Sequence, residues 1–257
     1  MAREVTFQAN GRTVHAPAES PLLVALRGAG IDVPSMCHHD SVQPYGACRL
    51  CLVEVETGSH GRVKRKLTTS CNYPALDGIR VFTDTEKVVA RRRVVLELLL
   101  AEAPDSPPVV ELAAKYGAKT TRFRKRSEDC ILCGLCARVC REVVGADAID
   151  FSGRGGVRKM GSPFGESAER CTGCGACAFV CPVGCIHVRD VGTTRTVDRW
   201  NVERELVRCV ECGGVVGTVA QIEPLRRRVP AEDAVFTRCI ECRRRYYSVK
   251  VAVEGHM

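Results

Sequence analysis

CILCGLCARVC (residues 130–140) and CTGCGACAFVCP (residues 171–182) are one pattern written twice, 41 residues apart. Each copy sets its cysteines at steps of three, three and four, with glycine inside the turn (Gly134; Gly173 and Gly175). Self-similarity at a fixed offset marks a duplicated structural unit. Thiols this close together suit metal ligation, and a CxxCxxC turn can wrap three corners of an iron-sulfur cubane. Two tetrahedral zinc sites are the competing reading.

Composition points the same way. The chain has 257 residues and 17 cysteines, aromatics are only 5%, and Trp200 is the single tryptophan, so apolar burial is a thin source of stability. The start, MAREVTFQANG, lacks the apolar run of a secretory signal, and the cysteine intervals suit metals better than disulfides, which implies a reducing cytoplasm. The apolar stretch 94–101 is short and interrupted by Glu97, so no direct membrane insertion is expected. Formal charge is +8, from 38 basic and 30 acidic residues. Four four-thiolate sites would each carry about two negative charges when oxidised, so the basic excess reads as counter-charge and not as a nucleic-acid footprint.

Pro182 follows the last cysteine of the second copy, and the whole run resembles that of bacterial two-cluster ferredoxins, in which the fourth cysteine of each copy ligates the other cluster. The resemblance implies one 4Fe-4S cluster on Cys130, Cys133, Cys136 and Cys181, and a second on Cys171, Cys174, Cys177 and Cys140. A fifth cysteine follows the second copy. Aligning CPVGCIHV with CREVVGADAIDF, with a four-residue deletion, sets Cys185 opposite Ala148, a packing position without a ligand role; His187 falls at the edge of a short strand.

Upstream, residues 4–16 alternate apolar and polar around Asn10-Gly11, a hairpin signal. Ser20 and Pro21 are set to start a helix with Leu22, Leu23, Leu26 and Ala29 on one face, and 50–56 reads as a strand. Between them the chain carries Cys37, Cys48 and Cys51, with Cys71 after a longer gap. Three close thiolates and a fourth from a later strand fit a 2Fe-2S cluster, where each iron takes two protein sulfurs; a zinc site or four structural thiols is the alternative. His38 and His39 invite a Rieske assignment, but four cysteines are already present, and both read as surface residues. PSMCHHDSVQPYGACRLCLVEVE, around these ligands, resembles the N-terminal module of the complex I large iron-sulfur subunit, the diaphorase subunit of NAD-linked hydrogenases and the iron-only hydrogenases.

The last four cysteines are Cys209, Cys212, Cys239 and Cys242, two CxxC pairs able to set four sulfurs tetrahedrally as in a zinc ribbon. Zinc is the first choice; a mononuclear iron, a third 4Fe-4S cluster, or disulfides and free thiols remain open. Arg226–Arg228 and RRRYY (243–247) read as a solvated face or subunit contact.

The fold class expected is α+β, in four domains: a β-grasp 2Fe-2S domain (1–84), a helical connector (85–127), a two-cluster 4Fe-4S ferredoxin domain (128–192) and a zinc-ribbon-like domain (193–257). The connector, AEAPDSPPVVELAAKYG in its second half, lacks the histidine-plus-three-cysteine cluster of many relatives, so the 2Fe-2S and ferredoxin clusters connect directly or through a partner. RGAGIDVP lacks the third glycine of a dinucleotide fingerprint, and no catalytic site is expected. The resemblance implies an electron-transfer subunit between a flavoprotein NAD(P)-binding subunit and a catalytic oxidoreductase subunit, of hydrogenase, formate dehydrogenase or bifurcating reductase type. A freely diffusing polyferredoxin and a redox-sensing nucleic-acid binder are the alternatives.

Overall fold

In the computed structural model, which describes residues 3–59, 62–126, 129–162 and 166–254, Asn10 and Gly11 both take positive φ, 49° and 80°. That pairing suits a two-residue hairpin turn, and it joins β1 (Glu4–Ala9) to β2 (Arg12–Pro17). α1 (Leu22–Gly28) buries Leu22, Leu23 and Leu26, whereas Ala29 is exposed. Pro21, not Ser20, occupies its N-cap, and the Ser20 hydroxyl donates to the Pro17 carbonyl. β3 (Leu52–Ser59), β4 (Arg62–Thr69) and β5 (Arg80–Phe82) complete a sheet of order β2-β1-β5-β3-β4 with β1 and β5 parallel, the β-grasp arrangement. Phe7, Leu22, Leu23, Leu26, Val53 and Val81 fill the core beneath it, together with Cys51 and Cys71.

α2 (Glu86–Glu102) begins at Thr85, whose hydroxyl accepts from the Val88 N–H. The same hydroxyl donates to Glu54 at 2.8 Å, and Lys87 Nζ reaches that carboxylate at 3.1 Å, so a buried acid on β3 anchors the helix start to the sheet. α3 (Pro107–Lys115) opens on proline, which costs nothing where the first N–H has no intrahelical partner. The connector boundary expected at 127 and 128 lies outside the described residues. Beyond it come α4 (Leu135–Arg138), a π turn at Val139–Val144, the hairpin β6 (Asp150–Ser152) and β7 (Lys159–Gly161), and α5 (Ala176–Phe179). β8 (Val188–Val191), β9 (Thr194–Val197), β10 (Val202–Arg208) and β11 (Val215–Thr218) form a four-stranded meander. α6 (Val219–Arg228), α7 (Ala234–Thr237) and α8 (Ile240–Glu254) end the chain.

The chain forms two compact units, one reaching to Arg138 and including Val180–Cys185, the other comprising Val139–Phe179 and the chain from Ile186 on. These differ from the four segments drawn from the sequence. Residues 192 and 193 are no boundary, because β8 and β9 on either side pair as Val191↔Thr194. Of the C-terminal cysteines, Cys209 and Cys212 lie at the β10–β11 connection, and Cys239 and Cys242 sit at the start of α8.

Candidate metal centres

The loop after α1 delivers Cys37 and Cys48, and the turn before β3 delivers Cys51, with Cys71 just past β4. All four are buried and they associate two by two. The Cys48 N–H lies 3.4 Å from Cys37 Sγ, and the Met36 N–H lies 3.4 Å from Cys48 Sγ. Donation from Cys48 holds the Cys37 thiol down at about 6, and donation from Cys71 holds Cys51 down at about 6, against an ordinary thiol near 9.0. Two pairs of sulfurs, one member of each already inclined to be a thiolate, fit a group whose two irons each need two thiolates. The neighbouring histidines are less exposed than expected. The His38 side chain is 7% exposed and burial pushes its pKa down, while His39 Nδ1 accepts from the Ser41 N–H.

Cys130, Cys133 and Cys136 are buried in the turn leading into α4. Leu132 and Gly134 take positive φ, 52° and 72°, which curls the backbone so that the Leu132 N–H points at Cys130 Sγ, 3.4 Å away. Burial drives the Cys133 thiol up to about 12, and negative charge on Cys130, Cys181 and Cys37 adds to that rise. Cys181 is thus brought to the first copy of the repeat, and the Cys37 set is its electrostatic neighbour. Cys185 Sγ lies 3.7 Å from Cys181 Sγ.

In the other unit, Cys140, Cys171, Cys174 and Cys177 line a single cavity with Ala148, Val197 and Trp200. The Ala148 N–H approaches Cys140 Sγ and the Gly173 N–H approaches Cys171 Sγ, both at 3.4 Å. Trp200 is buried and its Nε1–H donates to Cys177 Sγ at 3.3 Å; burial still drives that thiol up to about 11, against the lowering effect of the indole. Arg204 of β10 binds the carbonyls of Cys171 and Glu169 at 2.8 and 2.7 Å. A Cβ on Gly173 would stand 3.2 Å from Arg204 Cγ and from Thr218 Cγ2, so glycine is what lets the C-terminal sheet close on the ligand turn. A groove of about 820 Å³ beside Cys174 is lined by Val143, Ala146, Phe179 and Leu225, with Arg170 and Arg228 among its walls.

The Sγ atoms of Cys209, Cys212, Cys239 and Cys242 all lie within 4.8 Å of one another. A tetrahedron of sulfurs about 2.3 Å from one ion has edges of about 3.8 Å, and Cys212 and Cys239 stand 3.6 Å apart. Sulfurs this close suit a single ion. Gly214 sits so near that a Cβ would meet Cys212 Sγ at 3.3 Å, and its N–H points at that sulfur at 3.4 Å.

Cysteine spacing gave no sign of Arg92, Arg138, Trp200 or Arg204, which contact candidate ligand residues or their flanking carbonyls from elsewhere in the chain. The arginine inside CARVC was the one visible hint.

Two family models match parts of the chain. Residues 2–86 match the 2Fe-2S iron-sulfur cluster binding domain, and residues 124–188 match the 4Fe-4S dicluster domain. The chain thus carries a match to a 2Fe-2S cluster binding domain and one to a 4Fe-4S dicluster domain, and it resembles subunits of nicotinamide-linked oxidoreductases. It is similar to the mitochondrial NADH-ubiquinone oxidoreductase 78 kDa subunit of Candida albicans, 31% identical over 210 residues, covering 71% of this chain and 28% of that protein. It is also similar to the NADPH-Fe(3+) oxidoreductase subunit alpha of Geobacter sulfurreducens, 34% identical over 176 residues, covering 59% of this chain and 20% of that one. A chain in the crystal structure of an NAD+-reducing NiFe-hydrogenase in the H2-reduced state superposes with a TM-score of 0.52 at 28% identity, covering 62% of this chain and 75% of that one. The chain therefore spans between 20% and 28% of the length of these two curated relatives. Among the described residues no helix is long and apolar enough to cross a membrane.

Proposed function

We propose that this chain relays single electrons within a multi-subunit oxidoreductase, between a flavoprotein that handles NAD(P)(H) and a second catalytic subunit. What supports the reading is the match of residues 2–86 and 124–188 to iron-sulfur domains, with the cavity lined by Cys140, Cys171, Cys174 and Cys177 and the pairwise association of Cys37 with Cys48 and of Cys51 with Cys71. Cys37 and Cys48 would hold one iron of a 2Fe-2S cluster, and Cys51 and Cys71 the other. Cys130, Cys133, Cys136 and Cys181 would hold one 4Fe-4S cluster; Cys140, Cys171, Cys174 and Cys177 would hold the second. Bound clusters supply one-electron couples, so a flavin is needed to split the pair carried by a nicotinamide. The residues of this chain hold the sulfurs and aim N–H donors at them, which tunes potential.

The relatives' names, NADH-ubiquinone oxidoreductase, NADPH-Fe(3+) oxidoreductase and NAD+-reducing hydrogenase, support a nicotinamide-linked partner on one side. On the other, the groove beside Cys174 suits a catalytic subunit of hydrogenase, formate dehydrogenase or bifurcating reductase type, with an apolar contact flanked by carboxylates for Arg170 and Arg228. The C-terminal four-cysteine set is read as a zinc site that closes its module and takes no part in the relay.

Metal and acid-labile sulfide analysis after anoxic purification tests the assignment. About ten iron, ten sulfide and one zinc per chain are expected. Around fourteen iron and no zinc, or markedly fewer than ten iron, would overturn it. A chain that purifies cluster-replete but without a flavoprotein under gentle conditions would favour a diffusing polyferredoxin.

A further inference from the structure

Two buried guanidinium groups in the first unit have no carboxylate partner among the described residues. Arg92 of α2 is 2% exposed; its Nε donates to the Leu50 carbonyl at 3.0 Å and its Nη2 to the Leu52 carbonyl at 2.6 Å, so its fork closes around Cys51. Arg138, the last residue of α4, is 8% exposed. Its Nη2 donates to the Cys37 carbonyl at 2.7 Å and its Nη1 to the Gln43 carbonyl. The guanidinium carbon stands 5.3 Å from the centre of the Tyr45 ring, and Nε is buried without a hydrogen-bond partner. Arg92 Nη1 also reaches the Tyr116 hydroxyl at 3.5 Å. A buried cation held by carbonyls, a phenol and a ring is strongly unfavourable unless negative charge lies close by. Cys51 supplies it to Arg92, with Asp32 acting from beyond ion-pair distance, and Cys37 supplies it to Arg138.

We propose that Arg92 and Arg138 are the fixed counter-charges of the centre on Cys37, Cys48, Cys51 and Cys71, and that Arg138 also serves the centre on Cys130, Cys133, Cys136 and Cys181. This rests on the cluster assignment above. A four-thiolate 2Fe-2S centre carries about two negative charges when oxidised and one more after accepting an electron. The step takes one electron from a one-electron donor and needs no proton and no bond change. A guanidinium fixed beside the centre favours the more negative state, which raises the potential. Arg92 flanks one centre only. Arg138 is rooted two residues beyond Cys136 and grips the carbonyl of Cys37, so its charge is shared by two.

Redox titration of the full holo-chain, poised with dithionite and mediators and read by electron paramagnetic resonance, tests this pattern. Arg138→Gln keeps donors for the carbonyls and removes the charge. It should lower the midpoints of both the 2Fe-2S centre and the Cys130 centre, by roughly tenfold in the equilibrium, or about 59 mV for a one-electron couple. Arg92→Gln should lower the 2Fe-2S midpoint alone, and Arg138→Lys should restore most of the wild-type values. The centre on Cys140, Cys171, Cys174 and Cys177 should not move in any variant. An iron-replete Arg138→Gln chain with unchanged midpoints overturns the proposal, as does an Arg138→Lys chain that falls as far as the glutamine variant. Should Arg138→Gln fail to hold iron, the Arg92→Gln result decides: a shift of the 2Fe-2S midpoint alone supports counter-charging, and no shift overturns it. Missing wild-type cluster signals would instead count against the ligand assignment itself.

Discussion

A thiolate in a protein interior needs donors, and the sulfurs of this chain receive theirs from backbone N–H groups, the Trp200 indole and neighbouring thiols. Donation from Cys185 leads the causes that hold Cys181 down at about 5, with the N–H groups of Val183, Cys185 and Gly184 adding to it. Cys185 therefore does more than fill the alanine-sized slot that alignment with Ala148 suggests, although both positions are buried. Cys185→Ala is expected to keep full iron and sulfide while lowering the midpoint of the Cys130 centre, since a donor to a ligand sulfur is lost. Titration beside wild type checks this, and loss of iron would instead make Cys185 a ligand.

At the scale of elements, α8 starts where Cys209, Cys239 and Cys242 form a buried cluster with Val216 against it. The chain around that start meets the β10–β11 hairpin through the four sulfurs, the Val210 N–H to the Thr237 carbonyl at the end of α7, and the Arg238–Glu211 ion pair just before α8. Where a metal replaces a core, binding energy is folding energy. Cys242→Ser should release the zinc and cost helical signal equivalent to roughly the 15 residues of α8, while visible absorption from the iron-sulfur centres persists. Circular dichroism with zinc analysis reads both; unchanged helicity in zinc-free protein would show that the helix stands without its metal.

For the whole molecule, charge is the property that assembly changes most. The polypeptide alone has a formal charge of +8 and a pI near 8.8. Three iron-sulfur centres and one zinc tetrathiolate would each contribute about two negative charges when oxidised, cancelling nearly all of that excess. Anoxic isoelectric focusing should place the holo-protein well below the apo-protein, near neutrality. Equal positions for the two forms would mean that the basic residues are not balancing metal-thiolate charge and face an acidic partner instead.

The cysteine groupings, the β-grasp hairpin and the helical connector were legible in the sequence because each depends on local spacing: the step between thiols, the Asn-Gly turn, the apolar period of a helix. The two-unit division and the support behind the ligands were not. Trp200 against Cys177, Arg204 over the Cys171 turn and Arg138 against the Cys37 carbonyl join residues far apart in the chain. The sequence by itself determined which sulfurs could hold metal. Only the tertiary structure decided which buried charges and donors would surround them, because a desolvated guanidinium or indole is set by what packs on it and not by its neighbours in the chain.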